Sequence, residues 1–153
     1  MYLILLFVNL FSLQLFNGIE NGVDIVADSG ALELSISNLQ EGDGQILVSL
    51  YEEKSHFPDK PEKVYKIDKS EVKNKTIIYS IEDLRLAHKY AIVLLDDENM
   101  NEDMDYNMVG IPKEGYGFSN NAKPKFLTPP TFEDCSFTLN QSENLISIKM
   151  KYW

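Results

Sequence analysis

Two stretches of this chain alternate apolar and polar side chains with a period of two, and that pattern decides the fold class. Leu32, Leu34 and Ile36 fall on one side of a strand, with Glu33, Ser35 and Ser37 on the other. Later, Ile146, Ile148 and Met150 alternate in the same way with Ser147, Lys149 and Lys151. A helix would scatter such residues around its circumference, whereas a strand with one buried face requires this spacing. Between the two lie further β-branched and aromatic runs at residues 45–52, 63–67, 76–81, 89–95 and 132–139. Residues 63–67 read as a short edge strand. Residues 89–95 (KYAIVLL) are apolar on both faces, as a central strand must be. Glu41-Gly42-Asp43-Gly44 has turn chemistry and predicts a hairpin joining the strands at 31–37 and 45–52. No stretch shows a convincing helical period. The expectation is therefore an all-β domain, a single antiparallel β-sandwich of immunoglobulin-like or transthyretin-like type. It has about seven strands and one long irregular loop from Asp96 to Pro130.

The first seventeen residues carry no charged side chain, and thirteen of them are apolar. A membrane span wants about 20 predominantly apolar residues, while a secretory leader needs an apolar stretch of about 7–15. Residues 1–18 accordingly read as a signal peptide cleaved near Gly18, with 19–153 as the mature domain and no membrane span left in it. A retained anchor or a buried N-terminal helix is the alternative. Lys and Arg number 14 against 24 Asp and Glu, a net charge of −10. That balance excludes binding to nucleic-acid backbones, which takes clustered cations. The single cysteine, Cys135, excludes an intrachain disulfide and a cysteine-based zinc knuckle.

Residues 96–105 (DDENMNEDMD) hold six acids and no base. Counted from Asp97, oxygen-bearing side chains recur at Asn99, Asn101 and Asp105, with the backbone carbonyl of Asp103 at position seven. Calcium loops use this spacing because a hard cation gathers several oxygens at about 2.3–2.6 Å. The loop departs from that pattern in having Glu102 at position six, where glycine is usual, and Met108 at position twelve, where a bidentate Glu is usual. A solvated acidic turn is the competing explanation. Downstream, Gly110-Ile111-Pro112-Lys113-Glu114-Gly115-Tyr116-Gly117-Phe118-Ser119-Asn120-Asn121 interleaves glycines with aromatics. Tyr116, Phe118, Ser119, Asn120 and Asn121 can line a ligand pocket. Alternatively the rings pin the loop to the sandwich and the asparagines satisfy local backbone. Catalytic constellations are poor: His56 and His88 form no metal-spaced pair, and neither a G-x-S-x-G nor a P-loop occurs. Cys135 lies in a strand pattern and reads as a buried, inert thiol.

The run 110–122, with Asp97-Glu98-Asn99-x-Asn101 before it and Phe132-Glu133-Asp134 after it, resembles the DUF2141 family of exported bacterial proteins of unknown function. Leu50-Tyr51-Glu52 and the later Phe57-Pro58 resemble that family's second strand and following loop. The similarity spans roughly residues 31–150 and implies a small extracytoplasmic β-sandwich. It brings no catalytic residue. Where the family is expected to have a histidine and two glycines, this chain has Asp96, Met100 and Glu102, so the resemblance implies strain in a tight acidic loop. Together these readings point to a secreted or periplasmic module with a calcium-stabilised loop. It would act without catalysis in binding or assembly at the cell envelope, on an envelope protein or a carbohydrate. The rival from another class is a hydrolase or other enzyme with its site between the 96–130 loop and the sheet. A purely structural protein is the third.

Overall fold

The computed structural model describes residues 28–52, 57–125 and 128–153. The expected leader and its cleavage point lie outside the described residues, as does His56. The strands are β1 (Ser29–Ser37), β2 (Gln45–Glu52), β3 (Lys63–Asp68), β4 (Thr76–Arg85), β5 (His88–Asp97), β6 (Gly115–Phe118), β7 (Phe137–Leu139) and β8 (Glu143–Lys149), with one helical turn, α1 (Phe132–Cys135). They form two sheets. One has the order β4-β1-β8; the other runs β3-β2-β5-β6, with β7 also paired to β5. Among the described residues no helix is long and apolar enough to cross a membrane.

The alternation in β1 works as the sequence demands: Leu32, Leu34 and Ile36 are fully buried. They meet Ile46, Val48 and Leu50 of β2 and Tyr90, Ile92 and Leu94 of β5 across the interior, with Ile148 and Met150 alongside. Each such side chain contributes about 1.5–3 kcal/mol by leaving water. The apolar character of β5 on both faces also has its reason. Its opposite face, with Ala91 and Val93, packs in a second, smaller cluster with Tyr51, Tyr116, Phe118 and Cys135. β3 is an edge strand, as expected, and β5 is central.

Four expectations need correction. Glu41–Gly44 does not close a hairpin: β1 pairs with β4 and β8, whereas β2 pairs with β3 and β5. Leu39 is fully buried and its N–H binds the carbonyl of Lys75 at 3.0 Å, so the chain crosses from one sheet to the other there. Residues 132–139 are not one strand. Thr131 and Asp134 form a reciprocal capping box that starts α1, and only Phe137–Leu139 is extended. The Thr131 hydroxyl also holds the Asp134 carboxyl below its ordinary range. The 96–130 stretch is not wholly irregular, because β6 pairs antiparallel with residues 93–96 of β5. Finally, the sandwich is antiparallel in every pair but one, β1 with β8, which run parallel.

Candidate functional site

β5 ends on Asp96 and Asp97, and strand alternation sends the two carboxylates to opposite faces. Asp96 points inward and is fully buried. Its Oδ1 lies 2.8 Å from the Nζ of Lys69, which is buried too. That oxygen's close neighbour is the ammonium, approached without the alignment of a regular hydrogen bond. The Tyr152 hydroxyl donates to Asp96 Oδ2 at 2.7 Å and accepts the N–H of Gln40 at 3.0 Å. Burial, and then the Asp96 carboxylate, push the Tyr152 phenol far above its usual range. Gly115 makes room for this group, since a Cβ there would collide with the Tyr152 ring.

Asp97 organises the acidic loop from the other face. Its Oδ1 accepts the N–H of Asn101 at 3.1 Å, while Oδ2 accepts the N–H of Glu102 at 3.1 Å and the amide of Gln45 at 2.7 Å. Asn99 Oδ1 accepts the Asn101 N–H at 3.0 Å, and Asn101 Oδ1 accepts the Asp103 N–H at 2.9 Å. Asp103 Oδ1 accepts from Met104 at 2.9 Å, and Asn99 donates its amide to Asp105 Oδ2 at 2.6 Å. All five candidate ligands, Asp97, Asn99, Asn101, Asp103 and Asp105, thus share one tight curl. Met100 and Glu102 adopt the left-handed conformation there, with φ of 60° and 65°. These are the positions at which the resemblance led us to expect glycines. Among the described residues no group of three or more His, Cys, Asp and Glu side chains is placed to hold a metal ion.

Sequence reasoning missed Glu114. It is buried, and its two oxygens accept the N–H groups of Glu98 and Asp105, both at 3.1 Å, so one carboxylate ties both ends of the curl together. Only its place beside the Gly115–Phe118 run set it apart from the chain's many other acids.

The glycine-aromatic segment divides. Tyr116 and Phe118 project from one face of β6, their rings 5.8 Å apart and edge-on. Ser119, Asn120 and Asn121 turn elsewhere. The buried Ser119 hydroxyl accepts the N–H of Ile92 at 2.9 Å and donates to the carbonyl of Cys135 at 2.6 Å. Asn120 donates to the carbonyl of Ser136 at 2.8 Å. Asn121 donates to the carbonyl of Ser147 at 3.1 Å and accepts the N–H of Lys149 at 2.8 Å, serving β8 as a neighbouring strand would. These three residues therefore staple β6 to β5, to α1 and to β8.

Above Tyr116 and Phe118 lies a cleft of about 540 Å³ between the outer face of the five-stranded sheet and the loops around it. Its floor includes Leu47, Ser49, Tyr51 and Val93, and its walls include Pro58, Pro61, Pro112, Pro124 and Pro129. Asp59, Glu102 and Asp103 stand on it as acids, and Tyr106 and Trp153 are its exposed rings. The Tyr51 hydroxyl donates to the Pro58 carbonyl at 2.6 Å, and burial raises its pKa to about 12. A second hollow, of about 490 Å³, lies between residues 42–45 and 66–70. Of its polar groups, Lys69 pairs with Asp96, Lys66 pairs with Glu102, and Asp68 accepts the N–H of Ser70. The two groups with the most chemistry, Cys135 and His88, are not in the cleft lining. Cys135 lies fully buried in α1 with its thiol pushed up to about 12 by burial. His88 sits at the start of β5, 2.9 Å from Glu52.

The family model described as an uncharacterized protein conserved in bacteria, DUF2141, matches residues 34–147. That span runs from β1 into β8 and contains the acidic curl, β6 and α1. No curated protein and no solved structure matches the chain.

Proposed function

The chain belongs to the DUF2141 family, and from that premise we propose that it is an exported, non-enzymatic binding module of the cell envelope. Its ligand lies in the cleft over Tyr116 and Phe118. The observation that carries this reading is the cleft itself. A concavity of about 540 Å³ floored by aromatics and walled by five of the chain's six prolines falls in the size range of ligand sites. Export rests on the uncharged, apolar residues 1–17. Calcium is part of the proposal. The D-x-N-x-N spacing from Asp97 supports it, as does the left-handed backbone at Glu102, which stands where such loops carry a glycine. A divalent ion would also relieve the repulsion among the five acids from Asp97 to Asp105, Asp96 being held by Lys69 on the other face.

The test is fractionation of a bacterium expressing the full chain beside a Tyr106→Ala/Trp153→Ala variant. Both replaced rings are exposed, so the variant should fold. We expect wild type to be recovered outside the cytoplasm and held in the envelope fraction, and the variant to be exported but released. Equal retention of the two refutes the cleft as the binding site, and cytoplasmic recovery refutes the export.

A further inference from the structure

We propose that the cleft takes an extended segment of a partner protein, one in which proline and leucine alternate with lysine or arginine. This rests on reading the cleft as the binding site.

Charge is the first argument. Among the described residues the lining contains Asp59, Glu102 and Asp103 and no Lys, Arg or His, on a chain of net charge −10. Lys66 answers Glu102 only from a flank where both side chains are half exposed. Opposite charges on an incoming chain are therefore attracted, and like charges are repelled.

The second argument is the chemistry of the walls. Proline has no N–H, so the five prolines offer an occupant rigid apolar surface and no donors of their own. Tyr106, Tyr116 and Trp153 add aromatic edges between them. Aromatic-lined grooves receive segments in the polyproline conformation, which arrive already ordered and lose little freedom on docking. A sugar would draw in addition on amides and hydroxyls to read its own hydroxyls. The amides and hydroxyl best suited to that, in Asn120, Asn121 and Ser119, are bonded into the fold.

Third, the apolar surface continues beyond the cleft. Met108 and Val109 stand exposed between the lining residues Tyr106 and Gly110, as an apolar lip. Exposed apolar side chains continuous with a groove extend the surface a docked segment can cover.

Trp153 is the chain's one tryptophan and lies in the lining, so its emission reads occupancy. The probes are a blocked ten-residue peptide of proline, leucine and lysine, the same peptide with glutamate for lysine, and a soluble N-acetylglucosamine oligomer. We expect a saturable change in Trp153 emission with the lysine peptide, weakened by added salt and at least tenfold weaker with the glutamate peptide. Glu102→Gln and Asp103→Asn should each weaken the lysine peptide by about two- to fivefold, as expected for exposed charge pairs, with unaltered melting. Equal affinity for the two peptides, or a response to the sugar alone, overturns the partner chemistry and leaves the cleft reading standing. No response to any probe at millimolar concentration overturns both.

Discussion

Replacing Met100 by glycine should stabilise this protein, which is unusual for a change that removes a side chain. Met100 sits at φ 60°, two residues before Glu102 at φ 65°, in the curl closed by Asp97. An L-residue in the left-handed region carries a cost of about 1–2 kcal/mol, which glycine escapes. Glycine also loosens the unfolded chain, which takes back about 0.4–1 kcal/mol. The Met100 side chain is 61% exposed, so little packing is lost. The net gain is about 0.5–1 kcal/mol, or about 2–3 °C in melting temperature for a domain of this size. Met100→Ala is the control, since it removes the same packing but keeps the Cβ and hence the strain; it should lie within about 0.5 kcal/mol of wild type. Glu102→Gly relieves the same strain but gives up the half-exposed contact with Lys66, so its gain should be smaller. Calorimetry on the four proteins decides. If Met100→Gly melts below wild type, or if alanine stabilises as much as glycine, the left-handed curl is not the source of the strain.

Glu114→Ala removes the carboxylate that accepts from Glu98 and Asp105. It should cost about 2–4 kcal/mol in urea unfolding and open residues 98–113 to protease; a loss under about 0.5 kcal/mol would show that the tie is dispensable. Gly115→Ala drives a methyl into the Tyr152 ring and should cost about 1–3 kcal/mol by unseating the Tyr152–Asp96–Lys69 group. An unchanged midpoint would mean that the ring gives way freely. Alkaline stability has a definite sign. Burial raises Cys135 from 9.0 and Tyr51 from 10.0, each to about 12, so above pH about 9 the native state holds protons that the unfolded chain releases. Stability is complete below pH about 9 and falls between there and about 12; a urea midpoint that stays flat from pH 8 to 11 contradicts this. For calcium, a dissociation constant of about 10⁻⁴–10⁻³ M and millimolar ion predict a gain of roughly 1 kcal/mol, a rise of about 3 °C that Asp97→Asn should shrink. Identical melting in calcium and in chelator, at matched ionic strength, removes the ion from the account.

Much of the sandwich was legible because burial imprints a period. Leu32, Leu34 and Ile36 announced β1, and the two-sided apolar run at 89–95 announced the central strand. What pairs with what was less legible. Residues 38–44 have turn chemistry whether the chain folds back beside β1 or crosses to the other sheet. The buried Leu39 was the sign of a crossing. β6 was hidden because Gly115 and Gly117 are poor strand formers, and Gly115 is there to admit the Tyr152 ring. α1 was hidden because Phe132, Cys135 and Phe137 supply apolar side chains that suit a strand as well as a turn. The capping box at Thr131 and Asp134 was the overlooked signal. At the site, spacing placed the five acidic-loop candidates on one curl and brought Tyr116 and Phe118 to the cleft. Composition does not reveal where an amide points, so Ser119, Asn120 and Asn121 emerged as staples only in the fold.

Hydrogen–deuterium exchange of the protein, with and without solubilised envelope fraction, tests the binding reading most directly. Slowed exchange at residues 93–95 and 116–118 and along 102–112, with the β4-β1-β8 sheet unchanged, is the result expected of a ligand seated in the cleft. Protection confined to the β4-β1-β8 sheet, or no protection anywhere, would contradict it.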